Sequence, residues 1–169
     1  RANALIEAGR RDEAVALLRR MAAERPDRID ALVVLGDYFR REQHYAEAER
    51  AYAEALRRRP ELTAAHWRLL YVHGITLERT GRWEEAERAF LKALEFEPDQ
   101  PYVLNYLGYS WVEKGLHLER AKDMLHRAVE LRTRDGFIVD SLGWAYYQLG
   151  DYERAVEYLE RAVELEPAD

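Results

Sequence analysis

The chain has 169 residues, of which 48% are apolar and 34% are charged, so it can form a sizeable core, which excludes a disordered chain. Its net charge of −6, with acidic and basic residues interspersed, disfavours binding to nucleic acid, and its lack of cysteine excludes disulfides and thiolate metal sites. No run approaches the roughly 20 apolar residues of a membrane helix, so no membrane insertion is expected.

Helix-ending prolines recur along the chain at a nearly constant spacing. Pro26, Pro60, Pro98 and Pro167 occupy corresponding positions, and Thr133 takes that position in one unit. The successive spacings are 34, 38, 35 and 34 residues. Proline cannot continue a helix, because its ring removes the backbone donor and clashes with the preceding turn. A period near 34 residues predicts repeated units, each of them a pair of helices.

Small residues recur at fixed positions within both helices of each unit. The first helix carries a glycine, usually behind a leucine, at Gly36, Gly74, Gly108 and Gly143. The second helix carries an alanine that is followed four residues later by a larger side chain, in the pairs Ala14 and Leu18, Ala48 and Tyr52, Ala86 and Phe90, Ala121 and Leu125, and Ala155 and Leu159. Small residues let two helices cross closely while larger neighbours interdigitate, so these positions predict the helix crossings.

The turn between the two helices of a unit also has a sequence signature. The stretches GRWEEA and GDYERA place Gly81 and Gly150 directly after the first helix. Glycine at this position favours a left-handed backbone that ends a helix. We therefore expect tight turns there, with Trp83 and Tyr152 beginning the second helices.

These positions fill the pattern W-x2-L-G-x2-Y, A-x3-F and P of the tetratricopeptide repeat, and the chain is similar to that family over its whole length. The resemblance implies an all-α fold, a right-handed solenoid of antiparallel helix pairs. The stretches VLNYLGYSWVEKG and DGFIVDSLGWAYYQLGDYERA also resemble long bacterial proteins of this family. We therefore expect the chain to be a fragment of a longer array.

The period divides the chain into one partial and four complete repeats, at residues 1–28, 29–62, 63–100, 101–135 and 136–169. The repeat at 63–100 has four extra residues, which lie between Pro60 and Gly81 and amount to about one helical turn. We predict that its first helix is lengthened and runs from Glu61 to Arg79, and a longer loop before it is the alternative. The repeat at 101–135 has one extra residue in GLHLERA, which we predict to lie in the turn near His117.

In the family that this chain resembles, the first helices of successive repeats line a concave groove. The resemblance implies that this groove binds an extended or helical segment of a partner protein, which tyrosine and tryptophan suit because they bury large areas at low entropic cost. We expect the groove to be lined by Tyr71, Tyr102, Asn105, Tyr106, Tyr109, Phe137, Asp140, Trp144 and Tyr147. Asn105 can bond both the N–H and the C=O of a bound backbone. The alternative is that Tyr106, Tyr109 and Trp144 only pad helix contacts.

A role of a different class is a structural spacer or self-associating scaffold within a larger array. Repeat arrays bury each unit only against its neighbours, so an uncapped terminal helix leaves an apolar stripe open. In the last helix this stripe is expected to contain Ala155, Val156, Leu159, Ala162 and Val163. The exposed terminal helices would then associate with another copy of the chain.

Two other functions are disfavoured by the residues at the groove positions. Repeats that grip the carboxylate tail of heat-shock chaperones use Lys, Arg and Asn there, whereas this chain has Asp37 and Asp140, which repel an acidic tail. An enzyme needs a catalytic constellation, and the five histidines form no metal-binding motif. We expect no enzyme activity, no cofactor and no metal. The compartment, cytoplasm or bacterial periplasm and envelope, stays open.

Overall fold

The computed structural model describes residues 10–165, and in that range the chain folds into nine α-helices and one 3₁₀ turn, with no strand. The partial first repeat is described from residue 10 onward, and Pro167 lies outside the described residues. No helix of the described part is long and apolar enough to cross a bilayer. The helices are α1 Arg11–Glu24, α2 Asp30–Arg41, α3 Tyr45–Arg57, α4 Trp67–Arg79, α5 Trp83–Phe96, α6 Pro101–Lys114, α7 Leu118–Leu131, α8 Gly136–Gln148 and α9 Tyr152–Leu165.

The chain divides into two compact units at Ala93 and Leu94. The first unit contains α1 to α4 and most of α5, and the second contains the end of α5 and α6 to α9. In the first unit α2 packs on α1 and α3, and α3 packs on α4. In the second unit α6 packs on α7, α8 on α9, and α8 also contacts both α6 and α7.

Three-residue turns join the two helices of each pair, and such short connections make the paired helices antiparallel. The middle or first residue of each turn has a left-handed backbone, with φ of 62° at Gln43, 81° at Gly81, 68° at Gly115 and 84° at Gly150. This confirms the turns predicted at Gly81 and Gly150. The N–H of the next residue then donates to a carbonyl of the first helix, as from Arg82 to Leu77 at 2.9 Å.

The extra residue of the repeat at 101–135 is His117, as predicted. Leu116 makes the hydrogen bond that closes the turn, to the carbonyl of Trp111 at 2.9 Å, just as Arg82 does in its own turn. His117 then follows with φ of 46°, and its carbonyl accepts from the N–H of Ala121 at 2.8 Å. A single residue is therefore inserted between the turn and α7. The hydrogen bond that closes the turn and the first hydrogen bond of α7 are both kept.

In the repeat at 63–100, the prediction of a lengthened first helix from Glu61 to Arg79 is wrong about where the helix begins. The α-helix begins only at Trp67 and has 13 residues, and the extra residues form an irregular stretch and a 3₁₀ turn at Ala64–His66. Thr63 is extended, with φ of −123° and ψ of 175°, and its N–H donates to His66 Nδ1 at 2.9 Å. This side-chain acceptor satisfies a donor that a continuous helix would have bonded internally, so the helical segment starts after Thr63.

The four glycines at the predicted crossings, Gly36, Gly74, Gly108 and Gly143, each lie against a large side chain of the paired helix. A Cβ atom on Gly36 would lie 2.6 Å from Tyr52 Cδ1, and one on Gly143 would lie 2.8 Å from Leu159 Cγ. The small alanines of the second helices are buried as well, with Ala48 and Ala121 both at 0% exposure. The predicted close crossings are confirmed, because no space remains for a larger residue at either position.

A partly buried polar group joins α3 to α4 and to the turn that follows. His73 Nε2 lies 3.1 Å from Glu49 Oε1, and Arg82 Nη1 lies 3.2 Å from the same oxygen. Burial lowers the pKa of His73, and the hydrogen bond to Glu49 opposes this shift without cancelling it. The neutral imidazole therefore carries its proton on Nε2 and donates to the carboxylate.

The crossing of α6 and α7 gives a stability prediction. A Cβ on Gly108 would lie 3.0 Å from Leu125 Cγ and 3.1 Å from the carbonyl oxygen of Ala121. We expect Gly108→Val to overpack this crossing and to lower the free energy of unfolding by about 1–3 kcal/mol, measured by urea denaturation. Ala46→Val, at an exposed helical position, is the control for helix propensity alone. Equal stability of the two variants would contradict the register of the crossing.

The partly buried side chain of His73 predicts how stability depends on pH. Because the pKa of His73 is lower in the folded state than in the unfolded chain, the unfolded chain binds the proton first as the pH falls through about 6.5. We expect the free energy of unfolding to decrease with falling pH in this window, and His73→Gln to make the slope shallower. His126, whose pKa burial also lowers, keeps part of the slope. An unchanged slope in the variant would argue against the burial effect at His73.

Candidate functional site

The second unit presents a face rich in aromatic side chains on α6 and α8. These two helices pack against each other, and their residues occupy equivalent positions relative to Gly108 and Gly143, so they share one side. Phe137, Trp144 and Tyr147 are 63%, 42% and 52% exposed. The remaining members are partly exposed. We call this surface the aromatic face, and it consists of Tyr102, Tyr106, Tyr109, Phe137, Asp140, Trp144 and Tyr147.

Helical periodicity explains why these side chains point away from the core. On α8 the residues Phe137, Asp140, Trp144 and Tyr147 follow one another at spacings of three or four, which keeps them on one stripe. The opposite stripe of α8 contains Ile138, Val139, Leu142 and Ala145, all at 0% exposure. The core residues thus fix the orientation of α8, and the aromatic stripe is left facing outward.

Asn105 does not lie on the open part of this face, although we expected its amide to bind a partner backbone. The residue is only 4% exposed, and its Oδ1 is buried without a hydrogen-bond partner in the described structure. It lies on α6 one turn before Tyr109. A ligand could reach this amide only after neighbouring side chains moved. Sequence spacing placed Asn105 on the same side of α6 as Tyr109 but could not show that other side chains cover it.

Two carboxylates give the aromatic face a negative potential near Tyr109. Burial raises the pKa of the Tyr109 phenol, and the charge of Glu113, its hydrogen bond with the phenol and the charge of Asp140 raise it further. Glu113 is exposed, one turn after Tyr109 on α6, and Asp140 is one turn before Trp144 on α8. This part of the face therefore combines aromatic rings with negative charge.

Tyr152 extends the exposed aromatic surface beyond α8. Trp144 and Tyr147 have ring centroids 5.5 Å apart at 79°, and Tyr147 and Tyr152 have centroids 5.4 Å apart at 62°. Tyr152 is 61% exposed at the start of α9. Sequence analysis missed its place in the site, because an aromatic residue at a helix start is equally consistent with an anchor for the turn. We call Trp144, Tyr147 and Tyr152 the aromatic trio.

Tyr71, the remaining predicted site residue, belongs to the first unit and contacts other rings. Its ring centroid lies 6.2 Å from those of both Trp67 and Phe90. The structure thus does not bring Tyr71 together with the aromatic face within one compact unit, and its aromatic contacts are those of a packing residue.

The equivalent positions of the first unit include a hydrogen-bonded polar group that joins α2, α3 and α4. The Tyr52 hydroxyl donates to Asp37 Oδ1 at 2.5 Å, and Arg40 Nε donates to the Tyr52 oxygen at 3.1 Å. Arg68 Nη2 lies 3.3 Å from Asp37 Oδ2. Arg40 Nη2 lies 3.5 Å from Asp37 Oδ1, so the single carboxylate pairs with both arginines and neutralises one of their two charges.

The outer side of α9 is less apolar than the sequence suggested. Ala155 and Ala162 are 2% and 4% exposed, so they belong to the packed side of the helix and not to an open stripe. Val156 and Val163 are 52% and 72% exposed and, with Leu159, line an open cavity of about 510 Å³. The small alanines are covered because α8 crosses α9 closely at these positions.

Comparison with known proteins gives a consistent result over the whole chain. Family models of the tetratricopeptide repeat match residues 1–62, 33–101, 71–131 and 140–169. The TPR repeat-containing protein PA4667 of Pseudomonas aeruginosa is 28% identical over 164 residues, which are 96% of this chain and 27% of that protein. The chain therefore spans about a quarter of the length of this relative.

Solved structures of low sequence identity share the fold. A crystal structure of MamA has a TM-score of 0.80 at 18% identity and covers 97% of this chain and 93% of its own. A MamA fragment from Desulfovibrio magneticus RS-1 has a TM-score of 0.81 at 20% identity, covering 97% and 90%. YrrB, described as a TPR protein with an unusual peptide-binding site, has a TM-score of 0.74 at 20% identity, covering 98% and 83%. These likenesses show an all-α TPR solenoid.

The buried amide of Asn105 gives a prediction that separates a structural cost from a binding role. Because a buried acceptor without a partner destabilises the folded state, we expect Asn105→Leu, which has the same branched shape, to raise the free energy of unfolding by about 1 kcal/mol. Chemical denaturation measures this change. Ser141→Ala is the control, because the Ser141 hydroxyl already donates to the Phe137 carbonyl at 3.1 Å and its loss should not stabilise. A destabilised leucine variant would show that the amide makes favourable contacts.

Proposed function

We propose that the aromatic face binds an extended or helical segment of a partner protein. The chain belongs to the tetratricopeptide repeat family and is a protein-interaction module. The observation that carries the proposal is the exposure of Phe137, Trp144 and Tyr147 on one stripe of a helix whose opposite stripe is fully buried. Aromatic side chains of this size lose stabilisation when they face water, so a binding partner is the favoured explanation for their position.

The kind of partner follows from the shape and chemistry of the face. Tyrosine and tryptophan are the residues that most often dominate binding energy at protein interfaces, because each buries a large area with few rotatable bonds. The face extends along α6 and α8 and offers several exposed rings along one stripe. It therefore suits a chain segment better than a small molecule.

The relatives are consistent with this proposal. The family and fold are typically non-catalytic interaction modules, and one of the solved structures is described as having a peptide-binding site. We propose the same class of ligand here, a peptide segment, and no catalytic activity. Within the described residues no three His, Asp or Glu side chains converge as a metal site.

A second candidate is a self-associating scaffold or spacer, which the outer side of α9 favours. Val156 and Val163 are more than half exposed, and Glu160 and Glu164 line the same open cavity. A second copy that covers these valines would bury apolar area in the way that a neighbouring repeat does. Sedimentation velocity over a range of concentrations tests this candidate, and a monomer at every concentration would remove it.

Matched substitutions distinguish binding by the aromatic face from association through α9. We expect Tyr109→Ala with Trp144→Ala to weaken at least tenfold the binding of peptides selected from a displayed library on the unmodified protein, as measured by fluorescence anisotropy. The reason is that both rings are partly exposed and large. Val156→Ala with Val163→Ala is the control, because it removes exposed apolar groups from the other surface.

The two proposals give opposite results with these variants. If the aromatic face binds the partner, the alanine pair at Tyr109 and Trp144 stays folded by circular dichroism and loses the peptide. If the chain is a scaffold, the valine pair loses self-association and the aromatic pair does not. Undiminished peptide binding by the folded aromatic variant would show that the rings only pad helix contacts.

A further inference from the structure

A cleft of the first unit lies where the chain departs from its repeat. The connection from α3 to α4 has nine residues, 58–66, whereas the connections from α1 to α2, from α5 to α6 and from α7 to α8 have five, four and four. Arg59, Ala65 and His66 of this long connection line an open cleft of about 530 Å³, together with residues from the starts of α2 and α4 and from the turn before α2. The extra residues of this repeat therefore form part of the cleft wall.

The two helices supply the apolar part of the cleft. Leu69 on α4 is buried at 5% exposure, Val33 on α2 is partly exposed, and Val34 on α2 is 36% exposed. An apolar side chain of a ligand that covered Val34 would be stabilised by leaving water. The cleft can therefore hold an apolar group beside its charged residues.

The charged side chains of the cleft leave one arginine without a partner. Arg28 pairs with Asp30 at 2.5 Å, and Asp27 pairs with Arg25 at 3.5 Å, so both carboxylates that line the cleft are matched by an arginine. The side chain of Arg59 makes no hydrogen bond or ion pair with any residue that the structure describes. Its charge is therefore available to an anionic ligand.

Arg68 is the second source of positive charge at the cleft. The sequence alone suggests that Asp37 repels an acidic ligand, but in the structure Arg68 and Arg40 share this single carboxylate. The cleft and the ion pairs at its wall thus contain five arginines and three aspartates, an excess of two positive charges in a chain whose net charge is −6. Glu61, in the same connection, does not line the cleft.

His66 adds a neutral donor at the same place. The backbone N–H of Thr63 donates to His66 Nδ1 at 2.9 Å, so the neutral ring carries its proton on Nε2. This Nε2–H has no acceptor among the described residues, and the ring lines the cleft. The hydrogen bond that ends the irregular stretch therefore also fixes the imidazole, with one donor left for a ligand.

We propose that this cleft binds a carboxylate side chain of a partner peptide, with a neighbouring apolar side chain of that peptide against Val34 and Leu69. Arg59 and Arg68 supply guanidinium groups, which hold carboxylates through charge-assisted hydrogen bonds that are often paired. An open cleft leaves its ligand partly in water, which suits a short stretch of a longer chain better than a small molecule. The inference goes beyond the proposed function, because every residue of this site belongs to the first unit and the aromatic face belongs to the second.

Matched peptides of equal length that carry the same dye test the chemistry of the ligand. One repeats leucine, glutamate, serine and glycine, the other has glutamine in place of glutamate, and both are acetylated and amidated so that their termini carry no charge. We expect the glutamate peptide to bind at least tenfold more tightly in anisotropy titrations, which corresponds to about 1.4 kcal/mol. Its affinity should fall as sodium chloride is raised from 50 to 500 mM, because salt screens exposed charges.

Charge-neutral variants show whether this preference comes from the cleft. Arg59→Gln should reduce the preference for the glutamate peptide at least threefold, and since Arg59 has no partner in the described chain, this variant should stay folded. Adding Arg68→Gln should reduce the preference further. Arg20→Gln with Arg41→Gln is the control, because it removes the same charge from exposed arginines outside the cleft and should leave the preference unchanged.

A peptide with a free carboxyl terminus distinguishes the two sources of a carboxylate. The glutamine peptide without amidation carries only a terminal carboxylate, and we expect it to bind more weakly than the amidated glutamate peptide. Tighter binding of this free-acid peptide would overturn the assignment to a side chain and identify a chain terminus as the ligand.

The remaining outcomes separate this inference from the proposed function. We expect the Tyr109→Ala and Trp144→Ala variant to bind the glutamate peptide as the unmodified protein does, and loss of binding there would place the peptide on the aromatic face and overturn the cleft. Equal affinity for the glutamate and glutamine peptides, no binding of the glutamate peptide at 1 mM, or equal effects of the two arginine pairs would also overturn it.

Discussion

The close approach of paired helices at glycine is the constraint on which the rest of the structure depends. Tyr52 fills the space beside Gly36, and Leu159 fills the space beside Gly143, so neither first helix can rotate without a steric clash. Once this contact sets the rotation of a first helix, the residues three before and one or four after the glycine are directed away from the crossing. The outward position of Trp144 and Tyr147 is therefore a consequence of packing on the opposite side of α8.

The same helical position serves different chemistry in the two units. In the first unit the position after the glycine is Asp37, which joins Arg40, Arg68 and Tyr52 in a hydrogen-bonded group. In the second unit the equivalent position of α8 is Trp144, which is 42% exposed. The repeat thus supplies a common backbone frame, and the side chains at equivalent positions decide whether a face carries ion pairs and hydrogen bonds or exposed aromatic rings.

The polar side chains at the helix contacts differ in whether hydrogen bonds compensate for their burial. Tyr52 and His73 reach polar partners across a helix crossing, so their burial is compensated by hydrogen bonds. Asn105 keeps an acceptor without such a bond, next to the surface with the greatest aromatic exposure. The acceptor of Asn105 without a hydrogen bond and the exposed aromatic rings thus lie on the same two helices, α6 and α8.

The sequence by itself determined the repeat period, the helix pairs, the turns at Gly81 and Gly150, the inserted residue at His117 and the side of each helix that packs. These features are set by neighbours along the chain, through backbone conformation and helical periodicity. Only the tertiary structure decided that the helix after Pro60 begins at Trp67, that Asn105 is covered, and that Tyr152 joins the aromatic rings of α8. Each of these depends on side chains from another helix or on a side-chain hydrogen bond that competes with the backbone, and the period of a single helix does not contain that information.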